Sequence, residues 1–153
     1  MIKPASLREY LSATVQHLAH NPDKLAIFID EGNLIATAGK SLSFEYQYTL
    51  NAIIQDYADH PDTIMVPVLA WVSSNQPELF SNVDKRQNGI SFEADILNHD
   101  TIDLSIKINL TERVVVREID GKPVITHYGE PPLDEYAGKD WALFLRDQPW
   151  PTP

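Results

Sequence analysis

Between residues 62 and 80 the chain reads DTIMVPVLAWVSSNQPELF, and this stretch narrows the possible architectures more than any other. From Ile64 to Val72 only Pro67 and Ala70 interrupt the large apolar side chains. On a 3.6-residue wheel these side chains point all round, and a helix with no polar face is normally covered on more than one side. Asp62 or Thr63 is placed to N-cap it. Pro67 falls within reach of about the first turn, where its missing N–H is tolerated. After Ser73, Ser74, Asn75 and Gln76, Pro77 stops or kinks it. The stretch predicts a core helix lying on a sheet, part of whose surface a second subunit could also cover.

The flanking segments supply the sheet. Ser6-Leu7-Arg8-Glu9 has capping-box spacing behind Pro4, and Leu7, Tyr10, Leu11, Thr14, Val15 and Leu18 form one helical stripe. Asn21-Pro22-Asp23 ends that helix. Residues 25–29 read as a short strand, Asp30-Glu31-Gly32-Asn33 as a turn, and 34–37 as the returning strand. Leu42, Phe44, Tyr46, Tyr48 and Leu50 alternate with polar residues. The alternation then slips, so that Ala52, Ile53 and Ile54 extend the strand through a bulge. Residues 81–88 read as a polar loop. Two alternating strands follow, 89–97 and 101–110, joined at Asn98-His99-Asp100, with Ile102, Leu104, Ile106, Ile108 and Leu110 facing one way. Residues 114–119 continue as strand, and Asp120-Gly121 is a two-residue hairpin signal before 123–128. The order α-β-β-β-α-β-β-β predicts an α+β fold, a mostly antiparallel mixed sheet with two helices packed on one face. Residues 1–128 form a single domain in this reading. Residues 129–153, with Pro131, Pro132, Trp141 and Trp150, form a C-terminal extension that orders against a partner.

A length of 153 residues fits one domain. The formal charge of −10 weighs against phosphate-backbone binding, and Lys85-Arg86 is the one tight basic pair. With no cysteine there are no disulfides, thiolate metal sites or cysteine nucleophiles. No apolar run approaches the ~18 residues of a membrane span, so the expectation is a soluble cytoplasmic chain with no membrane partner. His17 and His20 stand at a spacing that could ligate a metal, but no neighbouring carboxylates complete a set. Neither metal nor cofactor is expected. Asp30-Glu31 and Asp134-Glu135 read as turn or surface charge. Nucleophile elbow, phosphate loop and dinucleotide fingerprint are all missing from the sequence, which argues against an enzyme. The surplus is aromatic, and aromatic side chains are the usual anchors of protein interfaces.

Several short pieces in order carry a resemblance. They are Lys3-Pro4-x-Ser6-Leu7-Arg8, Asn21-Pro22-Asp23, Ile27-Phe28-Ile29-Asp30-x-Gly32, Ser41-Leu42-Ser43-Phe44-Glu45 and Tyr48-Thr49-Leu50-Asn51. Val66-Pro67-Val68-Leu69-Ala70-Trp71, Asn75-Gln76-Pro77, Leu110-Thr111-Glu112-Arg113 and Asp120-Gly121 complete them. Together, over residues 1 to about 121, the chain resembles the tail completion protein R family of contractile-tailed temperate phages. It departs from that pattern at residues 84–88 and after Tyr128. The resemblance implies a non-catalytic virion protein, similar to tail terminators. Such subunits close as a ring, typically a hexamer, on the head-proximal end of the tail tube and allow head joining. The implied partners are further copies of the chain, the tail tube protein and neck or head completion proteins. DNA would pass through the ring without specific binding. The implied location is the virion tail, reached from the host bacterial cytoplasm during assembly. Candidate contact residues are Phe44, Tyr46, Tyr48 and Trp71, the polar segment with Ser81, Asp84, Lys85 and Arg86, and Trp141 and Trp150. The alternatives are a neck or head–tail connector, a minor tail adaptor of similar fold, and a small metal-binding enzyme built on His17 and His20.

Overall fold

A computed structural model describes residues 1–37 and 39–129. Helices α1 (Lys3–Thr14) and α2 (Gln16–His20) and a 3-10 turn (Pro22–Lys24) lead into strands β1 (Leu25–Ala36) and β2 (Phe44–Tyr57). Helices α3 (Asp62–Asn75), α4 (Glu78–Ser81) and α5 (Val83–Asn88) follow, and then β3 (Ile90–Ile96), β4 (Ile102–Ile119) and β5 (Lys122–Tyr128). The fold is α+β, built on an antiparallel five-stranded sheet in the order β1-β2-β4-β3, with β5 also paired to β4.

The sheet is organised on β4, which runs 18 residues without a break. At ~3.3 Å per residue that is about 60 Å of strand. Its period-two pattern explains the length: Leu104, Ile106, Ile108, Leu110, Glu112 and Val114 are all buried on one face. β2 lines one side of β4, from Phe44 opposite Val114 to Tyr57 opposite Ile102. On the other side β3 covers residues 102–108 and β5 covers residues 113–119. The apolar face of the sheet shares one core with α1, through Leu7 and Leu11, and with α3, through Ile64, Val68, Trp71 and Val72.

Several expectations are corrected. Residues 25–37 do not form a hairpin. β1 is one strand, and Asp30 sits at a bulge between Ile29 and Glu31, accepting a hydrogen bond from Asn51 Nδ2 at 3.3 Å. The 14-residue β2 offers a continuous ladder, and pairing along it outweighs the local turn preference of Asp30-Glu31-Gly32-Asn33. Nor does β2 slip after Leu50, since Tyr48, Leu50, Ala52 and Ile54 are buried on one face. The irregularity comes after Ile54, where Asp56 takes a left-handed φ of 52°. Ser6 caps nothing. The helix starts at Lys3, with Pro4 in its first turn, and Ser6 Oγ accepts the Trp71 indole N–H at 3.1 Å. The helix, but not its apolar stripe, is interrupted at Val15, whose extended backbone separates α1 from α2 while Leu7, Leu11, Val15 and Leu18 all stay buried in the core. At α3 neither Asp62 nor Thr63 caps, and the Thr63 hydroxyl donates back to the His60 carbonyl at 2.6 Å.

Residues 81–88, read as a loop, are largely helical. Asn82 Oδ1 accepts from the N–H groups of Asp84 and Lys85 and starts α5. The described residues thus hold five α-helices where two were expected. The Asp120-Gly121 hairpin is as expected, with φ of 52° and 75° at the two turn residues. Trp141 and Trp150, with the rest of the C-terminal extension from residue 130 onward, lie outside the described residues.

Gly89 joins α5 to β3 and is buried. A methyl group there would stand 2.5 Å from both Leu79 Cδ2 and the Lys85 carbonyl oxygen. Gly89→Ala therefore costs about 1–3 kcal/mol through overpacking. A thermal melt of the purified variant checks this, and an unchanged melting temperature refutes it.

Candidate functional site

The sheet has a gap on the β3–β5 side of β4, and the way it is filled organises the polar interior. β3 ends its pairing at Ile108 and β5 begins at Arg113. In between, Asn109 N–H donates to the Gly89 carbonyl at 2.9 Å. Thr111 points its N–H and C=O into the gap, where a buried backbone group without a partner is costly. Gln76 Oε1 accepts the Thr111 N–H at 3.1 Å, and Lys3 Nζ donates to the Thr111 carbonyl at 2.5 Å. Two side chains thus stand in for the missing strand.

The same side chains bond each other, with Lys3 Nζ 2.7 Å from Gln76 Oε1. Gln76 Nε2 donates to Glu78 Oε1 at 2.7 Å and to Thr111 Oγ1 at 2.9 Å, which uses all its capacity in a fully buried position. Next to Thr111, the buried Glu112 carboxylate accepts the Ile2 N–H at 2.7 Å and the Tyr48 hydroxyl at 2.6 Å. Lys85 on α5 donates to Glu78 Oε2 at 2.9 Å and carries the network to the surface. Burial disfavours the charged form of Glu78, but the hydrogen bonds from Lys85 and Gln76 outweigh it and hold the carboxyl below its usual pKa.

Burial pushes the Tyr48 phenol up, and its hydrogen bond to the Glu112 carboxylate adds to this. Burial likewise raises Tyr57, to about 12, against the opposing effect of its hydrogen bond with Thr63. Both folded-state values lie above the unfolded value near 10, so the stability they contribute is present below about pH 10 and lost as pH rises further. Tyr48→Phe makes that alkaline loss shallower in melts taken from pH 8 to about pH 11. At neutral pH it costs about 1–3 kcal/mol, because Glu112 loses a donor. An alkaline profile identical to wild type refutes the assignment.

Of the candidate contact residues, Tyr48 and Trp71 are buried in the subunit's own interior. Phe44 and Tyr46 are half-buried and stack edge-on, with ring centroids 5.0 Å apart. Ser81, Asp84, Lys85 and Arg86 are exposed on α4 and α5. Asp84 and Lys85 line a cleft of about 520 Å³ together with Glu31, Asn33 and Gln47. His17 packs its ring edge-on against Tyr57, 5.3 Å between centroids, while His20 is exposed. Among the described residues no three His, Cys, Asp or Glu side chains gather as a metal set. Nor is any helix among them long and apolar enough to cross a membrane. The lining of the cleft mixes charged and polar side chains with the apolar residues Tyr48, Leu79 and Leu110.

Sequence reasoning missed the role of Lys3, Gln76, Thr111 and Glu112. The signal was present, because all four lie in the pieces that carry the family resemblance. Those pieces meet in space, with Lys3 and Thr111 separated by 108 residues of chain. The family profile of P2 phage tail completion protein R matches residues 1–131. Tail completion protein R of Escherichia phage P2 is 41% identical over 148 residues, covering 97% of this chain and 96% of its own length. No solved structure matches the chain. A match over most of the chain, with a relative this similar end to end, shows that the chain belongs to the P2 phage tail completion protein R family.

Proposed function

We propose that this chain completes the phage tail as a structural subunit, closing with further copies of itself into a ring on the head-proximal end of the tail tube. The observation that carries this is the family match over residues 1–131, together with 41% identity to a tail completion protein along nearly its whole length. Family membership makes the chain a component of the virion tail and not an enzyme. The ring stops growth of the tube and presents a rim on which neck and head completion proteins dock. In this reading the fold is tail terminator-like, with helices on one face of the sheet. Its interface is drawn from strand edges, the half-buried Phe44 and Tyr46, and the exposed α4–α5 segment. A chain of net charge −10 lets DNA slide through a channel without adhering to it. Assembly takes place in the host cytoplasm.

Deleting the gene from a phage that encodes it, and imaging the lysate, tests the reading. Tails of uncontrolled length, or finished tails without heads, are the expected result, reversed by supplying the wild-type chain in trans. Normal virions from the deletion overturn it.

A further inference from the structure

The two ends of β4 present different surfaces, and neither is covered among the described residues. At one end lies β3, an edge strand. By register Phe92 and Ile96 share the apolar face with Ile106 and Ile102, yet they are 63% and 80% exposed. On its other face β3 carries Glu93, opposite Ser105, and Asp95, directly opposite Asp103. Like charges facing each other across a strand pair are destabilising. Residues 90–103 hold four carboxylates and neither Lys nor Arg.

At the other end the ladder with β2 stops at Phe44, opposite Val114, while β4 runs on to Ile119 as a ladder with β5, its Val116 N–H donating to Ser43 Oγ at 2.9 Å on the β2 side. The result is a projecting two-stranded arm. Cross-strand pairing places Arg113 beside Tyr128, Arg117 beside Val124, and Ile119 beside Lys122. These pairs are an even number of residues apart along the strand, so all six side chains share one face. Ile119 and Tyr128 on that face are about half exposed. In a chain of net charge −10, residues 113–128 carry three basic side chains against two acidic ones.

We propose that the β4–β5 arm of one copy docks on the β3 edge of a second copy, setting Arg113, Arg117 and Lys122 against Glu93, Asp95 and Asp103. The inference rests on the reading of the chain as a ring subunit and names the surfaces that ring would use. Two features on the two surfaces fit each other: opposite charge, and the unpaired outer strand edges of β3 and β5. The arm cannot reach its own β3, because the two lie toward opposite ends of one continuous strand of about 60 Å. The occupant is therefore another molecule. A contact between two different patches passes from copy to copy and closes when the rotation allows. Docking also places basic groups beside the facing Asp95 and Asp103.

Two charge-reversed variants test this, Arg113→Glu with Arg117→Glu on the arm and Glu93→Lys with Asp95→Lys on the edge. The measurement is molar mass by light scattering at about 50 mM and about 0.5 M salt, where exposed charges are weakly and strongly screened. All four positions are on the surface, and thermal melts confirm that each variant folds. The wild type assembles, less so at high salt. Each variant alone self-associates at least about tenfold more weakly. An equimolar mixture of the two assembles again, because each acidic arm then meets a basic edge and the reverse. Assembly of either variant at wild-type strength overturns the proposal. So does a mixture that stays dissociated, or a wild-type chain that stays monomeric both alone and with purified tail tubes. These outcomes do not depend on the deletion phenotype, so a failure of the docking surface and a failure of the tail-completion reading are told apart.

Discussion

Replacing Gln76 with alanine lowers the melting temperature of the subunit by roughly 6–12 °C, a loss of about 3 kcal/mol for a chain of this size. Gln76 is an amide side chain with all its bonds inside the fold: Lys3 and the Thr111 N–H on its oxygen, Glu78 and the Thr111 hydroxyl on its nitrogen. Truncation leaves the Thr111 N–H facing a gap in the sheet and removes one acceptor from the buried Lys3 ammonium. Leaving a buried donor unsatisfied costs about 1–3 kcal/mol, and more where the donor is charged. Lys3→Ala opens the same gap from the other side, since Thr111 then has no donor on its carbonyl. Because both variants damage the bonding of one residue, the double variant is less destabilised than the sum of the singles. Melts of the two singles and the double measure this coupling. Strict additivity, or a Gln76→Ala shift below about 2 °C, shows that the side chains do not act as the missing strand.

Trp71→Ala lowers stability by about 3–5 kcal/mol, the cost of emptying a large aromatic site in a core. Trp71 is 3% exposed on α3, packs in the central cluster, and donates its indole N–H to Ser6 on α1. Trp71→Phe keeps most of the volume and loses that donor, at about 1 kcal/mol. The measurement is a denaturant titration at a protein concentration low enough to keep copies apart. A core role predicts the full loss under these conditions. If Trp71 served instead as an anchor between copies, the dilute subunit would keep its stability and only association would weaken.

Local patterns in the chain were enough for the elements whose interactions are short in range. The alternation from Ile102 to Leu110 specifies a strand with one buried face, and the structure extends it unbroken to Ile119. Asp120-Gly121 turns as its residue types require, because the two positive φ angles are a property of the dipeptide. The all-round apolar stretch from Ile64 to Val72 is the central helix. Where local preference and long-range pairing disagreed, pairing won. Asp30-Glu31-Gly32-Asn33 has the composition of a turn, yet the ladder with β2 keeps it within one strand, through a bulge at Asp30.

The polar interior was decided only by the tertiary structure. A buried lysine or glutamine is tolerated according to which donors and acceptors the rest of the chain brings to it. Those arrive from far along the sequence: Thr111 lies 108 residues from Lys3, and Ser6 lies 65 from Trp71. No window of a dozen residues contains that information. The aromatic face of β2 shows the same limit. Phe44, Tyr46 and Tyr48 are equivalent by period, and the packing seals Tyr48 while leaving the other two at the margin. Period determines which side chains point together, because it is set by the backbone of one strand. What covers them is set by elements folded from elsewhere.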